Sequence, residues 1–403
     1  MTDVASPLLE PGSIAGIPIR NRIVVAPIER NYADADGFVT DRLVAHYREV
    51  AGGGAGWIDV EATFIAPEGR GAPFQLGIGS DAHVPGLRRL VDAIHAEGAV
   101  AGIELHHAGR NTNSVLTGHH AIAASAFPSP ASRGEVAREM TLDEIARVVG
   151  DFGRAARRAA DAGFDLVEVH SAHGYLPLSF LSPLFNTRDD GYGGSLENRA
   201  RFLREVLAAV RAAVPAGVGV GVRISMTEFL EGGLQPADVA AVLAAFETDG
   251  LLDYAHVSGG VYEVGHLVVP AMDRPDGTLL DVAREVRAAV ALPLVLVNRL
   301  RVDLAEEVVA SGLAEFAAFG RQFLTDPAFP AKLAAGERDA IVSCIACNQG
   351  CLDQRNQWLD VTCILNPRAG RELDAELRPP AAEAPRHVLV VGAIDRRVKA
   401  VVA

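Results

Sequence analysis

Eight short apolar runs, each followed by an amphipathic stretch, constrain this chain more than any other feature. The runs are Ile23 to Ile28, Trp57 to Ala62, Val100 to Leu105, Asp165 to Val169, Val218 to Ile224, Tyr254 to Val257, Leu294 to Val297 and Glu315 to Phe319. Between them, apolar residues recur at helical spacing over Thr40 to Ala51, Val84 to Glu97, Leu142 to Ala162, Ser195 to Val214, Pro236 to Thr248, Leu279 to Val290 and Asp303 to Ser311. After the last run, Thr325-Asp326-Pro327 reads as an N-cap that opens an eighth helix through Ala335. Strands that are apolar on both faces and alternate with helices belong to parallel sheets covered by helices. The predicted fold class is therefore α/β, a (β/α)8 TIM barrel, with an open doubly wound sheet as the alternative. Polar residues favour the barrel because they gather at one end of many runs: Glu104-Leu-His-His107, His170 to Tyr175, Arg223, Ser258, Asn298-Arg299 and Gly320-Arg321. Ile17 to Ile23 reads as a small hairpin with Arg20-Asn21 at its turn.

Composition narrows the partners. The chain has 403 residues, of which 49% are hydrophobic and 22% charged, enough for a large core. A net charge of -14 argues against nucleic acid or an anionic membrane surface as the main partner, since both reward clustered Lys and Arg. No apolar run approaches the roughly 18 residues of a membrane span. The opening Met1-Thr-Asp-Val-Ala-Ser-Pro has neither the basic nor the apolar region of a leader, so a cytoplasmic location is expected.

All four cysteines fall in one segment, spaced Cys344-x2-Cys347-x3-Cys351-x11-Cys363. That clustering argues against a disulfide-stapled secreted fold and for a metal site. Three thiolates on a tight loop and a fourth returning after a short helix suit a 4Fe-4S cluster, whereas structural zinc more often takes two separated pairs. Zinc and unligated thiols are the alternatives. A one-electron cluster calls for a neighbour that splits hydride into single electrons, and a flavin does so. Barrel loops after the seventh and eighth strands bind phosphate, and here they carry Asn298-Arg299 and Gly320-Arg321. Arg223 could place positive charge beside a reduced flavin ring; for each arginine a rim salt bridge is the plainer alternative.

The run Asp165 to Val169 leads straight into His170, His173 and Tyr175, which the spacing places just past the strand end. Two imidazoles can hold a developing oxyanion and a phenol can deliver a proton. The competing reading makes all three packed core residues. Ala108 to Met140, Pro177 to Gly194 and Gly259 to Thr278 are too long for simple connections and are expected to shape a substrate site. Pro379 to Pro385 reads as a linker. Arg386 to Gly392 then reads as the first strand of a dinucleotide-binding unit, but Gly392-Ala-Ile-Asp-Arg-Arg replaces G-x-G-x-x-G, and Ala403 comes too soon to complete such a domain. The expected organisation is a flavin-binding barrel over 1–340, an iron-sulfur segment over 341–370, and a linker with a truncated remnant over 371–403.

These residues carry a resemblance. His170-Ser-Ala-His-Gly-Tyr175, Phe180-Leu-Ser-Pro183, Tyr192-Gly-Gly-Ser-Leu-Glu-Asn-Arg199, Phe319-Gly-Arg321 and Cys344-Ile-Ala-Cys-Asn-Gln-Gly-Cys351 resemble the Old Yellow Enzyme superfamily. The branch is the one with a C-terminal iron-sulfur cluster, which includes bacterial 2,4-dienoyl-CoA reductases and trimethylamine dehydrogenase. The match runs from about Leu8 to Asn366. The resemblance implies FMN held by Ala26, Pro27, Ala62, Glu104, Arg223, Asn298, Arg299, Gly320 and Arg321, with NAD(P)H as reductant. It implies that His170 and His173 bind a substrate carbonyl oxygen, that Tyr175 donates a proton, and that the four cysteines ligate a 4Fe-4S cluster. The expected activity is reduction of a small α,β-unsaturated carbonyl compound, including a 2-enoyl or 2,4-dienoyl thioester. An amine dehydrogenase or demethylase, suggested by Tyr175-Leu-Pro-Leu178, and an electron-transfer subunit are the alternatives. The chain departs from the pattern at three places. Glu104 stands where many ene-reductases carry Gln, and a carboxylate cannot donate to a flavin oxygen. Glu29 stands where the amine branch has a cysteine bonded to FMN, which excludes covalent flavin there. Of an FAD domain only the first strand is expected, so electrons come from NAD(P)H directly or through an electron-donor protein or FAD subunit. Self-association as a homo-oligomer stays open.

Overall fold

The computed structural model describes residues 6–377. Eight parallel strands close into a barrel in chain order: β1 (Ile23–Val25), β2 (Trp57–Phe64), β3 (Val100–His106), β4 (Leu166–Ser171), β5 (Gly219–Ser225), β6 (Tyr254–Ser258), β7 (Leu294–Leu296) and β8 (Phe316–Phe319). Pairing of Ala317 with Ile23 and of Phe319 with Val25 closes the ring between β8 and β1. The TIM barrel expected from the sequence is therefore the fold, and the open sheet is excluded. Seven main helices cover it: α1 (Asp41–Gly52), α2 (Val84–His95), α3 (Leu142–Ala162), α4 (Leu196–Ala213), α5 (Pro236–Thr248), α6 (Leu280–Arg287) and α7 (Val302–Ala310). Local chemistry sets their ends. Thr141 and Glu144 form a capping box at the start of α3, and Gly163, at φ 97°, ends it in a left-handed turn that a side chain would strain.

Three local expectations are corrected. The hairpin pairs Gly12–Ile14 with Ile17–Ile19, and its turn is Ala15-Gly16, both at positive φ, not Arg20-Asn21. Arg20 and Asn21 are needed elsewhere: Arg20 donates to the Ala51 and Ala55 carbonyls and Asn21 to that of Gly54, closing the end of α1. Thr325 opens no helix. It ends the short helix Arg321–Thr325, with its hydroxyl on the Arg321 carbonyl, and α8 starts later, over Phe329–Ala334. Asp326 accepts instead from Lys332 Nζ at 2.8 Å and the Val342 amide at 2.9 Å, tying the chain beyond the barrel back to it. Finally, His170 lies inside β4, because that strand runs on to Ser171.

The barrel interior is divided by height. At the N-terminal end Ile14 and Ile19 of the hairpin pack with Val24, Trp57, Val100, Leu166, Tyr254, Val295 and Phe316 into an apolar plug. Trp57 meets Tyr254 edge to face at 5.0 Å. A Cβ at Gly221 would lie 2.1 Å from the Tyr254 ring, so β5 must carry glycine there. Above the plug the interior turns polar, with Asp59, Glu104, Glu168 and His256 all fully buried. Among the described residues no helix is long and apolar enough to cross a membrane. The linker and remnant strand expected over 379–392 lie outside the described residues.

The plug yields a test. Ile19 is wholly buried in it, so Ile19→Ala should lower the urea unfolding free energy by about 2 to 5 kcal/mol. A loss well under that range would mean that the hairpin is not part of the core.

Candidate active site

Parallel pairing places the chemistry. Along β4, β5 and β6, His170, Arg223 and His256 are register partners, one step above Val169, Val222 and Ala255. After Ser171 the chain reverses at His173 (φ 57°) and Gly174 (φ 80°), and Tyr175 then precedes the short helix Leu176–Leu181. The reversal brings both histidines and the tyrosine of the sequence motif together, with ring centroids 5.3 Å apart for His170 and His173 and 4.7 Å for His170 and Tyr175. His106 from β3 joins them, 4.4 Å from Tyr175, and both its ring nitrogens are buried without a partner.

Their electrostatics follow from burial. Burial, then the nearby His173 and Arg223, holds His170 well below the ordinary imidazole range. Burial and Arg223 do the same for His173, and burial and His107 for His106. All three are neutral at physiological pH. The Ala172 amide donates to His170 Nδ1 at 3.3 Å, which leaves the ring proton on Nε2. His173 is held by Ser258 Oγ, 2.8 Å from Nε2, and by its own amide, which donates to Ser225 Oγ at 2.9 Å.

Other elements complete the constellation. The Tyr175 hydroxyl lies 2.8 Å from that of Tyr262, in the long loop after β6. Arg355, from the cysteine segment, donates to the Tyr262 hydroxyl at 3.1 Å and pairs with Glu29 at 2.7 Å. Sequence reading missed Tyr262 and Arg355 as site residues. Tyr262 stands four positions past Ser258 in a loop marked only for its length, and Arg355 one helical turn after Cys351. Arg110 clasps the three long loops: it pairs with both Glu263 oxygens, donates to the Pro128 carbonyl and stacks on Phe185 at 3.7 Å.

Six of the nine residues expected around FMN line one cavity of about 380 Å³ at the C-terminal mouth: Ala26, Arg223, Asn298, Arg299, Gly320 and Arg321. Pro27, Ala62 and Glu104 do not line it. Pro27 and Ala62 are buried in the chain next to β1 and in β2, and Glu104 lies behind Arg223, 3.2 Å from its guanidinium. The rim arginines also make local contacts: Arg299 pairs with Asp276 at 2.7 Å, and Arg321 donates to the Pro270 carbonyl at 2.9 Å. Asn298 and Arg299 both take positive φ. Beside this cavity a smaller one is lined by Cys344, Cys347, Cys351 and Cys363, all free thiols.

Residues 7–340 match the model of the NADH:flavin oxidoreductase / NADH oxidase family. The chain is a member of that family, the Old Yellow Enzyme family. It is 40% identical over 389 residues to a metal reductase of Desulforamulus reducens, covering 96% of this chain and 57% of that one. It is 37% identical to an NADH oxidase of Thermoanaerobacter brockii, covering 96% and 59%. Among solved structures, 2-naphthoyl-CoA reductase in complex with 2-naphthoyl-CoA is similar with a TM-score of 0.87 and 33% identity, over 91% of this chain and 58% of that one. The chain thus spans under three-fifths of the length of these relatives.

The family is one of NADH:flavin oxidoreductases and NADH oxidases. FMN fits the cavity on its polar chemistry: Arg223, which lines it, has its Nε buried without a partner. Burial, partly offset by Arg223, pushes the Glu104 carboxyl up to about 8, so near neutrality it holds its proton.

This has a sign that can be checked. A carboxyl whose folded pKa is raised binds its proton more tightly in the folded state, so its contribution is present at low pH and is lost as pH rises through about 8. Stability should therefore fall between about pH 6 and pH 9 by a few kcal/mol more in the wild type than in Glu104→Gln. Parallel pH curves for the two proteins in urea unfolding would show that Glu104 is ionised throughout.

Proposed function

We propose that this chain is an FMN-dependent ene-reductase acting on α,β-unsaturated carbonyl compounds, with 2-enoyl or 2,4-dienoyl thioesters as the favoured class. The observation that carries the reading is the grouping of three buried, neutral imidazoles with Tyr175 at the barrel mouth. Bound FMN, reduced by NAD(P)H, would supply the hydride for the β-carbon. His170, with its proton on Nε2, is a neutral donor for the carbonyl oxygen, and His173, oriented by Ser258, supports the same oxygen as it gains charge. Tyr175 is the acid for the α-carbon. Burial, with Tyr262 beside it, holds its phenol well above the ordinary range, so it carries a proton at every working pH. Likeness to a reductase solved with an aromatic acyl thioester supports the thioester class. Neutral N–H donors suit a carbonyl turning into an enolate and not a methylated ammonium, which an aromatic bowl would hold better.

For the cysteine segment we infer a 4Fe-4S cluster. All four thiols line one cavity, which supports a single centre held by them together, and their spacing along the chain favours the cluster over zinc. On this reading the barrel over 1–340 holds FMN and the segment over 341–370 carries single electrons to or from a donor protein or FAD subunit, in the cytoplasm.

Two outcomes are expected. Tyr175→Phe should leave flavin reduction by NAD(P)H near its wild-type rate and slow reoxidation by an enone by roughly 10² to 10⁴-fold, the usual effect of losing a general acid. Rapid mixing separates the two steps, and an unimpaired enone step would remove Tyr175 from the mechanism. Purified protein should also contain about one FMN and four irons with acid-labile sulfide per chain; stoichiometric zinc without sulfide would refute the cluster.

A further inference from the structure

Tyr175, once it has given its proton to the α-carbon, is a phenolate in a buried pocket. Something must stabilise that charge and return a proton. The groups around it are few. Tyr262 is its hydrogen-bonding neighbour at 2.8 Å, and beyond Tyr262 lie Arg355, at 3.1 Å, and Glu29. His106 and His170 face it as well, but both are neutral imidazoles whose pKa values are held far down by burial, so neither has a proton to spare.

Hydrogen-bond direction decides what Tyr262 does. Arg355 has only donors, so the Tyr262 oxygen accepts from it. A deprotonated Tyr175 has only acceptors, so in that state Tyr262 must donate to it. We propose that Glu29, Arg355 and Tyr262 form a relay that recharges Tyr175, a role that rests on Tyr175 being the proton donor. The Tyr175 O–H bond breaks as the α-carbon gains its proton, and the bonding pair stays on the Tyr175 oxygen. The Tyr262 O–H bond then breaks, its proton restores Tyr175, and the charge moves to the Tyr262 oxygen beside the Arg355 guanidinium. Tyr262 is partly open to solvent and takes its proton from water, which completes the balance. Arg355 keeps its proton throughout: desolvation opposes its charge, but Glu29, Tyr262 and Tyr175 outweigh it and raise the guanidinium still further.

Several contacts hold this relay in place, and they come from separate parts of the chain. Glu29 follows β1, and the same stretch grips the cysteine segment through Asn31 on the Leu359 carbonyl at 3.0 Å and the Arg30 carbonyl on the Val361 amide at 3.1 Å. Arg133, from the loop after β3, lies 3.5 Å over the Trp358 ring. The Arg110–Glu263 clasp fixes the residue next to Tyr262. The cysteine segment thus reaches into the carbonyl site with a side chain of its own. Tyr262 is the proton carrier; Arg355 and Glu29 act through it and are positioning residues.

Rapid mixing of the intact holoenzyme with an enone provides the test. Tyr262→Phe and Arg355→Met should each slow enone reoxidation roughly 10 to 100-fold, leave flavin reduction near its wild-type rate, and be no worse combined than singly. Arg355→Lys, which keeps the cation, should recover most of the rate. Because Arg355→Met leaves Glu29 buried without its partner, the neutral pair Glu29→Gln/Arg355→Met is measured beside it and should show the same slowing. Wild-type reoxidation in both Tyr262→Phe and the neutral pair, with Tyr175→Phe still slow, would overturn the relay and leave the reductase reading standing. Equal slowing of both half-reactions, or no rescue by Lys, would reduce Arg355 to a structural ion pair. An unimpaired Tyr175→Phe would overturn the reading on which the relay rests.

Discussion

His170, Arg223 and His256 stand level because β4, β5 and β6 pair in parallel without a slip, and two residues lower the same ladder sets Glu168, Gly221 and Tyr254 side by side. That register is the constraint on which the site depends. Side chains alternate in and out along each strand, so a shift of one residue would turn the histidine and arginine toward the helices and empty the mouth of the barrel. The plug below makes the register worth keeping. Trp57, Tyr254 and Phe316 fill the narrow end, and only a glycine at 221 leaves room for the Tyr254 ring.

Charge inside such a barrel survives only where it is paired. Asp59 and Glu168 are pushed up, by burial first and by each other or Glu104 next, so the interior acids below the mouth hold their protons. The histidines are driven the opposite way, to neutral rings. Arg355 keeps its charge beside Glu29, 2.7 Å away. Polar groups in this mouth are thus tuned by desolvation.

Much of this was legible in the chain. Apolar runs with helical stretches between them announced eight βα units, and the ends of α3 and α5 agree with the structure to the residue because caps and breakers mark them: Thr141 and Gly163 for α3, Pro236 for α5. The grouping of His170, His173 and Tyr175 was legible because all three fall within six residues, although His170 belongs to β4 itself. Arg299 and Gly320 were legible from their place after β7 and β8. Tyr262 and Arg355 were not. Tyr262 meets Tyr175 from 87 residues further along the chain and Arg355 meets Tyr262 from 93 residues beyond that, and neither stands in a pattern that names its partner. The hairpin turn was misplaced for a similar reason: Arg20 and Asn21 look like turn residues locally, but their hydrogen bonds go to the end of α1.

By itself the sequence determined the barrel, the family motifs and the thiol segment, since strand periodicity, helix caps and cysteine spacing are local properties that neighbours in the chain impose on one another. Tertiary structure alone decided the protonation of Glu104, the tautomer and neutrality of the histidines, and the joining of the cysteine segment to Tyr175 through Arg355 and Tyr262. Desolvation is the physical reason. A pKa or a buried ion pair depends on how much water is excluded and which charges remain nearby, and both are set only when strands and loops far apart in sequence close around the same space.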